Sequence, residues 1–436
     1  MLTDGFLPEP GFSAKARRTG EQPISFLMAA VVANPLLINL AAGLVDPLTL
    51  PVEAVRAIAA KILGDEKRGR QALQYDTTQG LAELRRAALK HLEKLEGKSA
   101  GEFGVGEKDL IVTTGSQQAL YLIGDVLVDP GDIVIAANPC YFVYTGTLAS
   151  FGATVLTAPM REDGIDVDGV ENLLERLKRE GRLEKVKLIY VTSYYQNPTG
   201  LTLCLEGRKR LLEIAKRFSI KRRILILEDA AYRELRYDGE ALPSIKSFDP
   251  RNEFTILTQT FSKPFAPGLK TGYSVLPREV LEAVVHQKGN HDFGSSSLTQ
   301  HIALEALESG LYGEQVRRLV ASYRAKRDAM LGALEKHMPR EAGIAWTRPE
   351  GGLYVWVTLP GSVDTSRGGA LFDDCVGRGA IYVPGEYCFQ ADESGRIAKN
   401  FMRLSFGQVA PEQIEPGIGR LAEAVSARLG QMATAL

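Results

Sequence analysis

The sequence predicts an α/β protein, with a large unit on a mostly parallel, seven-stranded sheet and a smaller α+β unit. Three observations carry that expectation. Short apolar runs recur between residues 109 and 277, amphipathic segments separate them, and beyond about residue 310 one long helical pattern gives way to scattered strand signals. With 436 residues, 45% of them hydrophobic, the chain can bury a sizeable core without disulfide or metal support.

The seven runs are DLIVTT (109–114), DIVIAA (132–137), ATVLTA (153–158), VKLIYVTS (186–193), RILILED (223–229), FTILTQT (254–260) and TGYSVLP (271–277). They are β-branched and continuous rather than alternating, as in strands covered on both faces. Between them, QQALYLIGDVLV (117–128), VENLLERLKREG (170–181) and EGRKRLLEIAKRF (206–218) repeat apolar residues at helical spacing. A helical pattern over 301–338 leads out of the sheet. GGLYVWVTLP (351–360), GAIYVPG (379–385) and FMRLSFG (401–407) then predict strands of the smaller unit, followed by a final helix. The expected division is 1–70 as an N-terminal segment packing with the small unit, 71–310 as the large unit and 311–436 as the small one.

Composition removes several classes of function. A net charge of −1 with mixed signs argues against a nucleic-acid or polybasic membrane surface as partner. Four cysteines (Cys140, Cys204, Cys375, Cys388) lie far apart with no CxxC pair, which reads as reduced thiols. The five histidines show no metal spacing. The N-terminal stretch MLTDGFLPEPGFSAKARRTG lacks the apolar core of a signal peptide, and no apolar run approaches the roughly 20 residues needed to span a bilayer. A cytoplasmic protein is expected.

In an open α/β sheet, ligands bind beyond the carboxyl ends of the strands. Four of those ends carry chemistry: Gly115-Ser116-Gln117 at a helix start, Asn197-Pro198 after VKLIYVTS, Asp229 with Tyr232 after RILIL, and Ser262-Lys263 after FTILTQT. Ser116 and Gln117 at a helix N-terminus, with the hydroxyls of Thr260 and Ser262, suit a phosphate. A lysine among those hydroxyls, facing a carboxylate and a phenol, suits a Schiff-base cofactor. The carboxylate would keep a pyridine nitrogen protonated, and the phenol and the amide would hydrogen-bond the ring's 3′ oxygen. Each residue also has a plainer reading. Asp229 can simply end a strand, Asn197-Pro198 is a natural turn, Tyr141 and Tyr75 can be packing aromatics, and Arg403 can pair with any carboxylate.

Taken in order, Asn197-Pro198-x-Gly200, Asp229-x-x-Tyr232, Ser262-Lys263-x-x-x-Pro267-Gly268-x-x-x-Gly272 and Arg403-Leu404-Ser405-Phe406 resemble the class I/II aminotransferases, pyridoxal-phosphate enzymes of fold type I. The likeness runs from about Leu40 to Gly419. It is closest to the 2-aminoadipate/aromatic/kynurenine group through LQYDTTQGLAELR (73–85), TTGSQQAL (113–120) and QNPTG. The resemblance implies that Lys263 forms the Schiff base and shuttles the proton, that Asp229 pairs with the pyridinium, and that Tyr232 and Asn197 contact the 3′ oxygen. Ser116, Gln117, Thr260 and Ser262 would hold the phosphate, Tyr141 would stack on the ring, and Arg403 would clamp the substrate carboxylate beside Gly43. Tyr75 matches a residue that reaches the neighbouring subunit's phosphate, which implies a homodimer with shared sites. Lys270 stands where the family usually has an arginine, so phosphate binding with altered geometry is expected. An amino acid and a 2-oxo acid would be the substrates. A lyase, decarboxylase or oxidase on the same cofactor stays open, as does a non-catalytic regulatory module. The segment PISFLMAAV (23–31), which lines the substrate entrance in this group, is apolar and lacks arginine, so an aromatic or aliphatic donor is expected.

Overall fold

Strands β1 (Ile38–Asn39), β2 (Leu110–Thr113), β3 (Ile133–Asn138), β4 (Thr154–Arg161), β5 (Gly164–Ile165), β6 (Val186–Thr192), β7 (Leu225–Asp229), β8 (Thr255–Thr260) and β9 (Gly272–Val275) precede residue 300. β10 (Ala345–Trp346), β11 (Tyr354–Thr358), β12 (Ala380–Ile381), β13 (Val383–Pro384) and β14 (Phe401–Ser405) follow it. The computed structural model describes residues 11–99, 101–339, 343–392 and 394–434. The first ten residues, half of the stretch read for a leader, lie outside the described residues.

The large sheet runs β2-β9-β8-β7-β6-β3-β4-β5. β8, β7, β6, β3 and β4 are parallel. β9 is antiparallel to both β2 and β8. All seven expected strands form, and the correction is an eighth: Gly164–Ile165 folds back antiparallel on the edge of β4. Two residues offer no apolar run, so nothing in the sequence marks them.

Continuity of the strand runs has a plain cause. Alternate residues serve two helical layers. Val134, Leu188, Tyr190 and Leu227 pack with Leu120 and Ile123 of the helix Gly115–Leu127 and with Tyr144 of the helix Phe142–Phe151. Ile135, Ile189, Val191 and Ile226 pack with Leu174 of the helix Val167–Arg179 and Leu211 of the helix Leu205–Phe218. Each fully buried aliphatic side chain contributes about 1.5–3 kcal/mol. The layers therefore hold the strand ends rigid.

The small unit has an antiparallel sheet, β10-β11-β14-β13, and a short parallel pair, β1-β12. Its link to the N-terminal segment is direct: Leu40 N–H donates to Ile381 O at 3.0 Å, and Ser405 N–H to Leu40 O at 2.7 Å. Two expectations need correction. The pattern over 301–338 is two helices, Ser297–Glu308 and Leu311–His337, because Gly310 takes a left-handed φ of +84° between them. And the described part of the N-terminal segment, residues 11–70, does not pack on the small unit alone. In the helix Ala14–Arg18, Lys15 Nζ meets Asp125 Oδ1 at 3.0 Å and Tyr121 OH at 2.6 Å, both on the large unit.

Candidate active site

Parallel pairing puts the carboxyl ends of β6, β7 and β8 on one edge, with Thr192 opposite Asp229 and Asp229 opposite Thr258. The helix Gly115–Leu127 starts at the same edge. Gly115 has φ +71°, a turn conformation that favours glycine, and a Cβ on it would stand 3.8 Å from Ser262 Oγ. On β9, a Cβ at Gly272 would stand 3.0 Å from Ser116 N, so only glycine lets the helix start approach this closely. Thr260 and Ser262 share a 3.0 Å hydroxyl contact beside it. Backbone N–H groups, a helix N-terminus and two hydroxyls thus converge, as the chemistry of a phosphate requires.

Asp229 closes β7 and is buried. Its Oδ2 accepts from Tyr190 OH at 3.0 Å and its Oδ1 from Ala231 N–H at 3.2 Å. Burial pushes its pKa up to about 6, opposed by the Tyr190 and Ala231 hydrogen bonds and by the charge of Lys263. Lys263, on the turn after β8, donates to Gly43 O at 2.8 Å. Tyr232 OH meets Tyr354 OH at 3.1 Å, and burial, with Tyr354 next, drives the Tyr232 pKa well above its usual value. It is therefore a protonated phenol, able to donate.

The small unit contributes Arg403, on β14 and 2% exposed. Its Nη1 donates to Asn197 Oδ1 at 2.9 Å and its Nη2 to Ala41 O at 2.8 Å. The guanidinium lies 4.4 Å from the Tyr354 ring centre and 5.6 Å from that of Phe142. Its buried Nε has no hydrogen-bond partner among the described residues. A cation fixed by two carbonyl-type oxygens between aromatic rings is built to receive a carboxylate.

Of the residues singled out from the sequence, Lys263, Gly43, Asp229, Tyr232, Asn197, Arg403, Ser116, Thr260 and Ser262 come to this edge. Tyr141 OH donates to Gln117 Oε1 at 3.3 Å, next to the helix start. Two others are exposed. Lys270 lies at φ +48°, its backbone N–H donating to Pro267 O at 3.1 Å and its side chain making no hydrogen bond or ion pair among the described residues. Tyr75 is 80% exposed and meets Phe293 edge-on at 5.5 Å. Sequence reasoning missed Tyr190, Tyr354, Phe142 and the Ala41 carbonyl. The first three sit in apolar runs that read as core, and the last is a backbone atom. A separate cavity of about 540 Å³, lined in part by Tyr194, Tyr195, Arg233, Arg236 and Glu350, contains none of the residues singled out from the sequence.

Lysine, buried carboxylate, phenol and phosphate cradle together fit pyridoxal phosphate. Among the described residues no His/Cys/Asp/Glu group could hold a metal ion, and no helix is long and apolar enough to cross a membrane.

Comparison with known proteins agrees. Residues 36–421 match the family model "Aminotransferase class I and II". The chain is 37% identical over 417 residues to aromatic-amino-acid aminotransferase 1 of Thermococcus litoralis, covering 96% of this chain and 94% of that protein. A Pyrococcus horikoshii kynurenine aminotransferase, solved with PMP, superposes with TM-score 0.87 at 35% identity, over 96% of this chain and 98% of that one. The alpha-aminoadipate aminotransferase of Thermus thermophilus, complexed with N-(5'-phosphopyridoxyl)-L-leucine, superposes with TM-score 0.83 at 32% identity, over the same 96% and 98%. With the family model spanning most of the sequence, the chain belongs to the class I and II aminotransferases and is a pyridoxal-phosphate-dependent aminotransferase of fold type I.

Proposed function

We propose that this aminotransferase takes its amino group from an L-amino acid with an aromatic or aliphatic side chain and delivers it to a 2-oxo acid such as 2-oxoglutarate. One observation carries the reading: Arg403 is pinned by Asn197 and Ala41 between the rings of Tyr354 and Phe142. It offers one carboxylate clamp walled by aromatic surface. The helix Pro23–Ala33 carries no basic residue that could take a second, side-chain carboxylate. A relative named for aromatic amino acids supports the same choice.

Pyridoxal phosphate, when bound, supplies an aldehyde for the amine and an electron-accepting ring. The chain's own residues do the rest. Arg403 binds the substrate's α-carboxylate with its planar fork, beside Gly43. Lys263 Nζ would move the proton from the donor's α-carbon to the cofactor's former aldehyde carbon, and in the opposite direction when the 2-oxo acid is the partner. Asp229 would hold a proton on the ring nitrogen. Tyr232 and Asn197 would donate to the 3′ oxygen; because Asn197 Oδ1 already accepts from Arg403, its amide N–H₂ is the end left to donate. Ser116, Gln117, Thr260, Ser262 and Lys270 would hold the phosphate, and Tyr141 would pack on the ring.

Tyr75 is exposed on one copy, so its part needs a second: the working enzyme is a homodimer with shared sites, tested by sedimentation and by the cofactor affinity of Tyr75→Phe. A reducing, cytoplasmic setting suits the four free cysteines. The substrate reading is tested by a donor screen with 2-oxoglutarate, following glutamate. Phenylalanine, tyrosine, kynurenine and leucine should lead. Aspartate or 2-aminoadipate well ahead of them overturns it.

A further inference from the structure

Tyr190 lies on β6, two residues inside its carboxyl end, and is 1% exposed. Its neighbours in that layer, Val134, Leu188 and Leu227, are aliphatic. A buried hydroxyl there costs stability unless it is paired. Its oxygen is 3.0 Å from Asp229 Oδ2 and 3.4 Å from Thr192 Oγ1. A carboxylate only accepts, so the phenol's single proton goes to Asp229. Thr192 in turn donates to the phenol oxygen, and the donors run one way: Thr192 to Tyr190 to Asp229. The ring cannot swing away, because Tyr144 packs on it at 4.4 Å.

We propose that Tyr190 is a positioning residue for the cofactor site: its hydroxyl fixes the plane of the Asp229 carboxylate and keeps it ionised, ready to hold a proton on the pyridine nitrogen. The inference rests on the reading of Asp229 given above. Burial acts against ionisation here, and Tyr190 is the first of the groups that oppose it, ahead of the Ala231 N–H and Lys263. The other titratable groups facing Asp229 are Cys140, Tyr141 and Tyr144. Burial keeps all three protonated, the Cys140 thiol being pushed up to about 12, but among the described residues only Tyr190 OH and Ala231 N–H hydrogen-bond the Asp229 carboxylate, so none of the three takes the place of Tyr190.

The test is the affinity of the cofactor-free protein for pyridoxal phosphate, measured from acid to alkaline pH in wild type and Tyr190→Phe. Loss of one donor raises the Asp229 pKa. If that rise is about one pH unit, the carboxylate is ionised about ten-fold less often in acid, and binding there should weaken by about ten-fold. The deficit should close at alkaline pH, where the carboxylate is ionised in both proteins. A merely structural defect weakens binding by the same factor at every pH, and that result, or no change at all, overturns the proposal. Thr192→Val, which removes the donor behind Tyr190, should show the same pH pattern at smaller amplitude; it serves if the phenylalanine variant does not fold. Asp229→Asn separates the two readings. If it binds the cofactor as wild type does, the Asp229 reading fails, and this one with it. If it binds poorly while Tyr190→Phe is silent, only the role of Tyr190 fails.

Discussion

Adjacent carboxylates at the end of β7 face opposite ways and lead opposite lives. Glu228 is wholly buried, and its oxygens accept from Ser193 Oγ at 2.7 Å, Ile245 N–H at 3.0 Å and Lys246 N–H at 3.1 Å, with Arg208 Nη1 at 4.0 Å. Asp229 has two donors and the charge of Lys263. The lysines differ in the same sense. Lys246 has all three donors engaged, by Asp249, Asn252 and the Thr255 carbonyl, and burial lowers its pKa to about 8. Lys263 is only partly buried and is held by a single carbonyl. Burial and perturbed titration therefore do not mark the site here; unused hydrogen-bonding capacity does. One side of the strand end is a finished structural network, and the other is an open one.

The strongest way to break that contrast is to exchange its lysines. Lys263→Ala should lower kcat/KM by at least about a thousand-fold and abolish the visible absorption of bound cofactor, with little change in unfolding midpoint. Lys246→Met should do the reverse, lowering the midpoint while the folded enzyme keeps its rate within a few-fold. A Lys246 variant that is stable but inactive defeats the comparison. Arg208→Met comes next. It removes the cation beside Glu228, along with hydrogen bonds to Leu203, Ser193 and Pro243 carbonyls. Breaking such a buried network costs about 3–5 kcal/mol, read by urea unfolding of the cofactor-free protein.

Asp229 sharpens the point through pH. Its folded pKa, about 6, lies above the ordinary value of 3.8. The folded cofactor-free protein therefore binds more protons than the unfolded chain between those values. The stability linked to this group is fully present below the unfolded value and is lost as pH rises through the folded one. Asp229→Asn should thus stabilise the cofactor-free protein at neutral pH by about 1–3 kcal/mol, with the advantage vanishing in acid. Chemical denaturation at both pH values checks it. A destabilised Asn variant at neutral pH shows that the carboxylate is better satisfied than its two donors suggest.

How much of this the sequence discloses depends on distance along the chain. Strand runs and helix spacing are local, so seven strands of the large sheet are legible, while the two-residue β5, β1 and β10 are not. The Gly310 break is hidden, because the apolar period runs on both sides of the glycine in ESGLYG. Lys263, Asp229 and Tyr232 are legible because each follows a strand run. In contrast, the Arg403–Asn197 contact joins residues 206 apart, and the Ala41 carbonyl has no side chain to notice. Tyr190 and Tyr354 look like core because they are core, with only the hydroxyl turned to function. In the pair Glu228-Asp229, nothing local says which carboxylate is finished by its neighbours, since Ser193, Ile245 and Arg208 come from elsewhere.

Lys270 gives the smallest expected effect and the finest test of the open side. Its backbone is left-handed at the end of the turn Pro267–Leu269, and its ammonium lies at the surface without a described partner. If it serves the phosphate, it does so as a point charge, through one flexible stem. Lys270→Arg keeps the charge and adds a planar fork that matches phosphate geometry, so the cofactor should bind about three- to ten-fold tighter, with kcat at saturating cofactor unchanged. Lys270→Gln should bind more weakly and lose most of the wild type's dependence on ionic strength, because an exposed charge is what salt screens. Titrating cofactor-free protein with pyridoxal phosphate at low and high salt separates the two effects. Tighter binding by arginine would mean that this corner of the site, like Asp229, has bonding capacity to spare. Weaker binding would mean that the left-handed turn already aims a single ammonium where the phosphate needs it, and that the open side of the strand edge is more finished than its unpaired lysine suggests.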